Sequence, residues 1–283
     1  MPHDAWTSWS FDALVVASLA LSAFIYTRGV HRLWNSAGRG RGVTVGQRAR
    51  FWTGWIVLAV ALVSPVHAIG SLLFSVHMTQ HELLMVVAAP LLVTSQPLVA
   101  SAWAFERTTL ANISQWRIGH VRVSHAANKA WQRISTPAVA LAIHVVAVLA
   151  WHLPALYQAT LRSDAMHALQ HASFFMSAIA FWWGLLRARR EAAAAGVAYL
   201  FIAMMITGVF GALLTFAREL WYPAYAATAP AWGVSAIDDQ RLGGMIMWIP
   251  GGLSYLGAAL WLMGMWLRED RARVDTKIVG GRG

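Results

Sequence analysis

The chain has 283 residues, 58% of them hydrophobic and only 12% charged, with a mean hydropathy of +0.52. Soluble domains carry about twice that share of charge, so a water-soluble globule is excluded and the bilayer is the expected solvent. The formal net charge of +10 would suit nucleic acid, but the basic residues fall in the connections between apolar stretches, which sets nucleic-acid binding aside.

A spanning helix needs roughly 20 mostly apolar residues. Seven stretches qualify: 11–27, 51–70, 72–99, 137–156, 167–186, 196–217 and 243–267. The expected fold is all-α, a polytopic membrane protein with seven transmembrane helices in one bundle over residues 1–267 and a tail over 268–283. Of 22 Lys and Arg, six lie between Arg28 and Arg50, five between Arg107 and Arg133, three between Arg187 and Arg190, and five in the tail. Only Arg162, Arg218 and Arg241 fall elsewhere. That alternation is the positive-inside signature, so the N-terminus is expected outside and the C-terminus in the cytoplasm of a bacterial inner membrane.

In chain order, the opening "MPHDAWTSWS" has no Lys or Arg and lacks the basic start of a cleavable signal peptide, so the first helix is expected to stay. Trp6, Trp9, Trp52, Trp55, Trp151, Trp182, Trp183 and Trp266 lie near predicted span ends and suit aromatic belts. The connection 28–50, with "SAGRGRGVTVGQRAR", reads as a flexible cytoplasmic loop near anionic head groups. The third span contains Pro90 and Pro97, and the seventh contains Gly243, Gly244, Pro250, Gly251 and Gly252; kinks are expected there. The segment 100–136 mixes Trp and aliphatic residues with basic ones and predicts an interfacial helix on the cytoplasmic face. In the sixth span Gly196, Gly208 and Gly211, with Ala203 and Ala212, permit close helix packing. The connection 218–242, with "WYPAYAATAPAWGVSAIDDQ", predicts a compact cap outside the bundle.

Histidines are the anomaly. "SVHMTQHELLMVVAAP" places His77 and His81 at the outer start of the third span, and "MHALQHASFFMSAIAFWW" repeats the pattern with His167 and His171 in the fifth. Residues four apart share a helix face, and ionisable groups within spans usually face the interior. His152 and His144 fall in the outer half of the fourth span and His67 ends the second, whereas His3, His31, His120 and His125 lie in loops or the tail. Two facing pairs could bind a metal. The absence of cysteine excludes structural disulfides, thiolate zinc sites, iron–sulfur clusters and a thiol-based copper relay. Imidazole suits copper, zinc or iron, and thioethers at Met78, Met85, Met166, Met245 and Met247 would favour Cu(I). Asp238, Asp239 and Gln240 lie at the same depth and could orient imidazole N–H groups. Glu82 lies there too, about 100° around the helix from His81, and suits a proton relay or a hydrogen bond as well as it suits ligation. The competing reading is that these histidines hydrogen-bond across helices and the methionines only pack.

Four motifs, "HMTQHELLMVVAAPLL", "WHLPALYQAT", "HALQHASFFMSAIAFWW" and "DQRLGGMIMWIPGG", resemble the CtaG-type cytochrome c oxidase assembly factors associated with caa-type oxidases. The matching positions are His77, His81, Trp151, His152, Pro154, His167, His171, Asp239, Gln240 and Trp248. The resemblance implies a membrane protein that helps mature haem–copper oxidase by handling copper for an oxidase subunit, with a periplasmic copper donor as a further partner. No nucleophile with its base and no phosphate loop is visible, so a non-enzymatic role is expected. Three rivals stand beside copper handling: a haem-binding or electron-transfer protein, a metal or proton transporter using Glu82, and a metal-free assembly scaffold.

Overall fold

The computed structural model describes residues 2–105, 121–186 and 193–280. Among the described residues there are helices and turns but no strand. After the single turn α1 (Pro2–Ala5), α2 runs over Ala13–Ala37. Asp12 caps its start by accepting the Val15 N–H at 2.9 Å, and Gly38, at φ 95°, ends it. Only 38–44 then separate it from α3 (Val45–Val63), which opens with a reciprocal capping box between Thr44 and Gln47. The long flexible loop expected over 28–50 is therefore mostly helix.

Ser64 and Pro65 break the second span, and Pro65 starts the separate short helix α4 (Pro65–Gly70) that carries His67. The third span is α5 (Phe74–Glu82), a π-helical segment (Leu83–Ala88) and α6 (Ala89–Thr94). Pro90 explains the π turn. The Ala89 N–H reaches back five residues to the Leu84 carbonyl, and in that register the Met85 carbonyl would be next to accept, from the N–H that proline lacks. Trp182 fills the gap, its Nε1 donating to the Met85 carbonyl at 2.8 Å. The chain then reverses at Ser95 and Gln96, the latter at φ 59°. Pro97 therefore begins a separate helix, α7 (Pro97–Ala104), which packs on α2 rather than extending the third span.

Helix α8 (Val121–Ile134) meets α9 (Pro137–Trp151) at a 75° bend. A short α10 (Pro154–Thr160) leads to α11 (Asp164–Leu186). The pair α12 (Ala193–Thr215) and α13 (Ala236–Gly280) is closely joined. A Cβ at Gly244 would stand 2.6 Å from the Gly211 carbonyl oxygen, and one at Gly211 would stand 2.8 Å from that of Gly244. The two backbones touch because neither residue has a side chain. Helix α13 continues for 45 residues through Pro250 and the glycines, and the expected tail continues as helix to Gly280.

Among the described residues, four helices are long and apolar enough to cross a membrane: Ala13–Ala37, Phe74–Thr94, Ala194–Thr215 and Ala236–Arg268. A fifth is added if the bent α8–α9 pair is one crossing, which is fewer than the seven stretches read from the sequence. The shortfall has a physical cause. Helix α3 begins with Gln47, Arg48 and Arg50, and α11 sequesters His167, Gln170, His171 and Ser177 in the interior. Outward faces are apolar: Leu14, Phe24, Val146, Phe201, Leu213, Phe216, Leu253 and Trp261 are exposed. Such a continuous apolar exterior belongs in lipid, and the molecule is a helical membrane protein. The main core packs Leu84, Met85, Ala89, Phe174, Phe181, Trp182 and Tyr255 between the spans. A second, aromatic cluster of Phe74, Tyr157, Tyr222 and Tyr225 closes one end beneath the segment 218–235, hereafter the capped end.

Candidate metal centre

The capped end gathers six histidines from four elements. Helix α4 brings His67, α5 brings His77 and His81, α11 brings His167 and His171, and His152 ends α9. Four-residue spacing sets the intrahelical geometry, with ring centroids 4.3 Å apart in both the His77–His81 and the His167–His171 pair. The two pairs face one another. His77 stacks on His167 at 5.2 Å, and His81 meets His171 edge-on at 5.4 Å. His67 stacks on His167 at 5.0 Å, and the His152 ring lies 5.9 Å from that of His81.

Two sets of three ring nitrogens lie within 4.8 Å of one another: His67, His167 and His171, and His77, His81 and His171. A trigonal ion with bonds of about 2.0 Å needs nitrogens about 3.5 Å apart.

The hydrogen bonding separates a ligand cluster from ordinary buried histidines. Both nitrogens of His77 and His81, and Nε2 of His152, His167 and His171, are buried without a hydrogen-bond partner. Gln170 and the Gly70 backbone lie beside His77 without completing a hydrogen bond to it. Leaving such a group unsatisfied costs about 1–3 kcal/mol, and a metal ion would take up the lone pair of one nitrogen on each ring. His144 is the contrast. Its Nδ1 pairs with the Ser177 hydroxyl at 3.0 Å and its Nε2 lies 3.4 Å from the Tyr255 hydroxyl, with Phe181 stacked on the ring. It is a satisfied core histidine outside the cluster.

Asp239 and Gln240 take partners other than the imidazoles expected from depth alone. Leu73 gives α5 no side-chain cap, and Asp239 reaches across from α13 to supply one. Its carboxylate accepts the Phe74 N–H at 2.6 Å, the Ser75 N–H at 3.1 Å and the Ser75 hydroxyl. Asp239 thus fixes the turn that presents His77. Gln240 accepts the Trp221 N–H at 2.7 Å and donates to the Glu219 carbonyl at 3.2 Å, tying the cap segment down. Asp238 pairs with Arg241 at 3.2 Å on the surface. Trp151 donates to the Ser173 hydroxyl at 2.6 Å and so braces α9 on α11. Glu82 lies on the α13 side of its helix, where a Cβ on Gly251 would come within 2.9 Å of its Oε2.

Of the methionines offered as sulfur donors, Met78 and Met247 pack in the aromatic cluster, Met85 lies in the main core, Met245 is exposed, and Met166 is partly buried next to His167 in the sequence.

A roof of phenols covers the imidazoles. The Tyr222 hydroxyl donates to the His152 carbonyl at 2.7 Å, the Tyr225 hydroxyl donates to that of Gly70 at 3.1 Å, and the Tyr157 and Tyr225 hydroxyls pair at 2.8 Å. Burial pushes the Tyr222 and Tyr225 phenols above their ordinary range, which keeps them protonated as donors.

Two glutamines also belong here, and the sequence carried a signal for them. Both histidine pairs read His-x-x-Gln-His, with Gln80 before His81 and Gln170 before His171. Both glutamines are fully buried. Gln80 Nε2 donates to the Ala61 carbonyl at 2.6 Å and lies 3.1 Å from His67 Nδ1, while both polar atoms of Gln170 remain unpartnered.

The family model for the cytochrome c oxidase caa3 assembly factor matches residues 24–269. The chain belongs to that family. Members of this family assist assembly of cytochrome c oxidase, and the match takes in every element of the histidine cluster. Curated relatives are uncharacterized proteins of Mycobacterium bovis and Mycobacterium tuberculosis, each 27% identical over 275 residues, and one of Mycobacterium leprae, 26% identical over 270 residues. Each alignment covers 94% of this chain and 40% of the relative, so the chain spans about two fifths of the length of the curated relatives it matches. No solved structure matches the chain.

Proposed function

We propose that this assembly factor binds Cu(I) among His77, His81, His167 and His171, with His67 and His152 beside them, and passes it to a subunit of cytochrome c oxidase. The observation that carries the reading is the set of buried, unpartnered nitrogens on facing helices. The donor set favours a monovalent cation. No carboxylate joins either set of three, and the cost of moving an ion out of water rises with the square of its charge. Neutral imidazoles in a low-dielectric chamber hold Cu(I) at less cost than a divalent ion. Copper here is cargo, and no catalytic step is assigned to the chain.

A haem between the two pairs is the weaker alternative. The His77 and His167 rings stack at 5.2 Å with planes 16° apart, which leaves no slot between them for a macrocycle.

The proposed topology is seven crossings with the N-terminus outside, the C-terminus in the cytoplasm and the capped end facing the periplasm, in a bacterial inner membrane. It rests on the alternation of basic residues. A periplasmic copper donor and an oxidase subunit are then the partners on that side. Because the chain has no cysteine, a single introduced thiol reports its side cleanly. Ala227→Cys should react with an impermeant maleimide from the periplasm, and Ser36→Cys only after the cytoplasm is opened; the reverse pattern would overturn the topology.

Elemental analysis with an optical spectrum of the purified chain tests the function, beside the variant carrying both His81→Ala and His171→Ala. Copper in the wild type and its loss in the variant are expected. A metal-free wild type that still restores oxidase assembly would point to a scaffold, and a Soret band to haem.

A further inference from the structure

The histidine chamber contains two stations rather than one. His67, His167 and His171 form the first, His77, His81 and His171 the second, and His171 is common to both. Their access differs. His67 is half-buried, and His167 and His171 retain 9% and 6% exposure, whereas His77 and His81 are sealed at 0% and 1%. Hydrogen bonding differs as well: His67 Nδ1 already has Gln80 Nε2 at 3.1 Å, while His81 has no partner at either nitrogen and His77 has only Gln170 and the Gly70 backbone beside it. The inner station therefore gains more from an ion than the outer one.

The rings that separate the stations form a stack. His67 lies on His167 at 5.0 Å and 13°, and His167 lies on His77 at 5.2 Å and 16°. An ion leaving His67 thus finds the next imidazole one ring further along. His171 cannot serve two ions at once as a neutral imidazole, since only one of its nitrogens offers a lone pair. Two cations this close in a chamber of low dielectric also repel strongly.

We infer that the chamber is a one-ion relay: Cu(I) is received at the His67–His167–His171 station and moves to the His77–His81–His171 station by ligand exchange around His171. The inference rests on the metal-binding reading above. Two incoming imidazoles, His77 and His81, replace two outgoing ones, His67 and His167, so coordination stays at three. The ion keeps its charge, and no proton, oxidant or reductant is consumed.

The test uses the full chain in detergent under anaerobic conditions, loaded with Cu(I) and stripped by a colorimetric Cu(I) chelator. The wild type should hold one ion per chain and release it slowly. His67→Ala should still fill to one ion per chain, at a rate at least tenfold lower. His81→Ala should hold an ion that the chelator removes at least tenfold faster than from the wild type. His171→Ala should weaken binding at both stations by at least a hundredfold, and His171→Gln, which keeps a polar side chain, should do the same if the alanine variant fails to fold. Two ions per wild-type chain, full retention in the His171 variants, or unaltered uptake in His67→Ala would each overturn the relay while leaving copper binding intact. A wild type that takes up no copper would overturn both.

Discussion

Replacing Asp239 tests whether α13 positions the histidines of α5. In Asp239→Ala the first turn of α5 loses three bonds at once, from the Phe74 N–H, the Ser75 N–H and the Ser75 hydroxyl. No substitute is at hand, since Leu73 has no capping side chain, and the site is 1% exposed at Asp239, which keeps water out. Loss of a cap costs about 1–2 kcal/mol, and each buried donor left unsatisfied adds about 1–3 kcal/mol. Allowing for non-additivity, about 3 kcal/mol is expected, a factor of more than about a hundred in the unfolding equilibrium. Titration with dodecyl sulfate in mixed micelles would read it. Asp239→Asn keeps one acceptor oxygen and should lose about half as much, while Ser75→Ala, which removes only the hydroxyl, should lose about 1 kcal/mol. His77 lies in the next turn, so Asp239→Ala should also weaken Cu(I) binding by tenfold or more in the folded fraction. An unfolding midpoint equal to wild type would refute the cross-bundle cap. A lowered midpoint with unchanged copper affinity would refute the link from cap to site.

Gly244→Ala drives a methyl against the Gly211 carbonyl oxygen at 2.6 Å and the Thr215 backbone nitrogen at 2.7 Å, atoms that cannot turn aside. The same titration should show a loss of about 1–3 kcal/mol or more, whereas Gly257→Ala, which meets nothing within 4 Å, should be neutral or stabilising by up to about 1 kcal/mol. His144→Asn should lower stability by about 1–2 kcal/mol with copper content unchanged, because its partners are Ser177 and Tyr255 rather than the cluster; parallel loss of copper would return His144 to the site. Trp182→Phe strips the donor from the Met85 carbonyl and should cost about 1–3 kcal/mol. Tyr225→Phe removes its bond to Gly70 and the pairing with Tyr157; the chelator should reach bound copper several times faster, and an unchanged stripping rate would mean that these phenols do not control access.

Periodicity and composition made the helical membrane class readable, and four-residue spacing put each histidine pair on one helix face. The meeting of the two pairs depends on how α5, α11 and α4 pack, and the motif resemblance bore on it only through the family. Expected depth was a poor guide to what residues touch: Asp239 caps α5, Gln240 ties the cap segment and His144 bonds to Ser177. The Pro90 break was visible, but its repair was not, because Trp182 comes from a helix some ninety residues away in the chain. Ser64-Pro65 and the Thr44–Gln47 capping box were legible signals of helix boundaries, hidden by a search for long apolar runs. The same emphasis obscured the Gln80–Gln170 correspondence, since attention went to the titratable member of each His-x-x-Gln-His unit.

A π turn holds one residue more than the α-helical path it replaces, and by absorbing that surplus locally it keeps the two halves of the third span in phase. Deleting one of the residues from Leu83 to Ala88 would let the span relax to regular α-helix with His77 and His81 still turned toward α11. Adding a residue that stays α-helical beside the π turn would instead twist everything before it by about 100° relative to α6. The imidazoles would then swing away from α11, and a span of nearly unaltered composition would be left aiming its two histidines at the wrong neighbour.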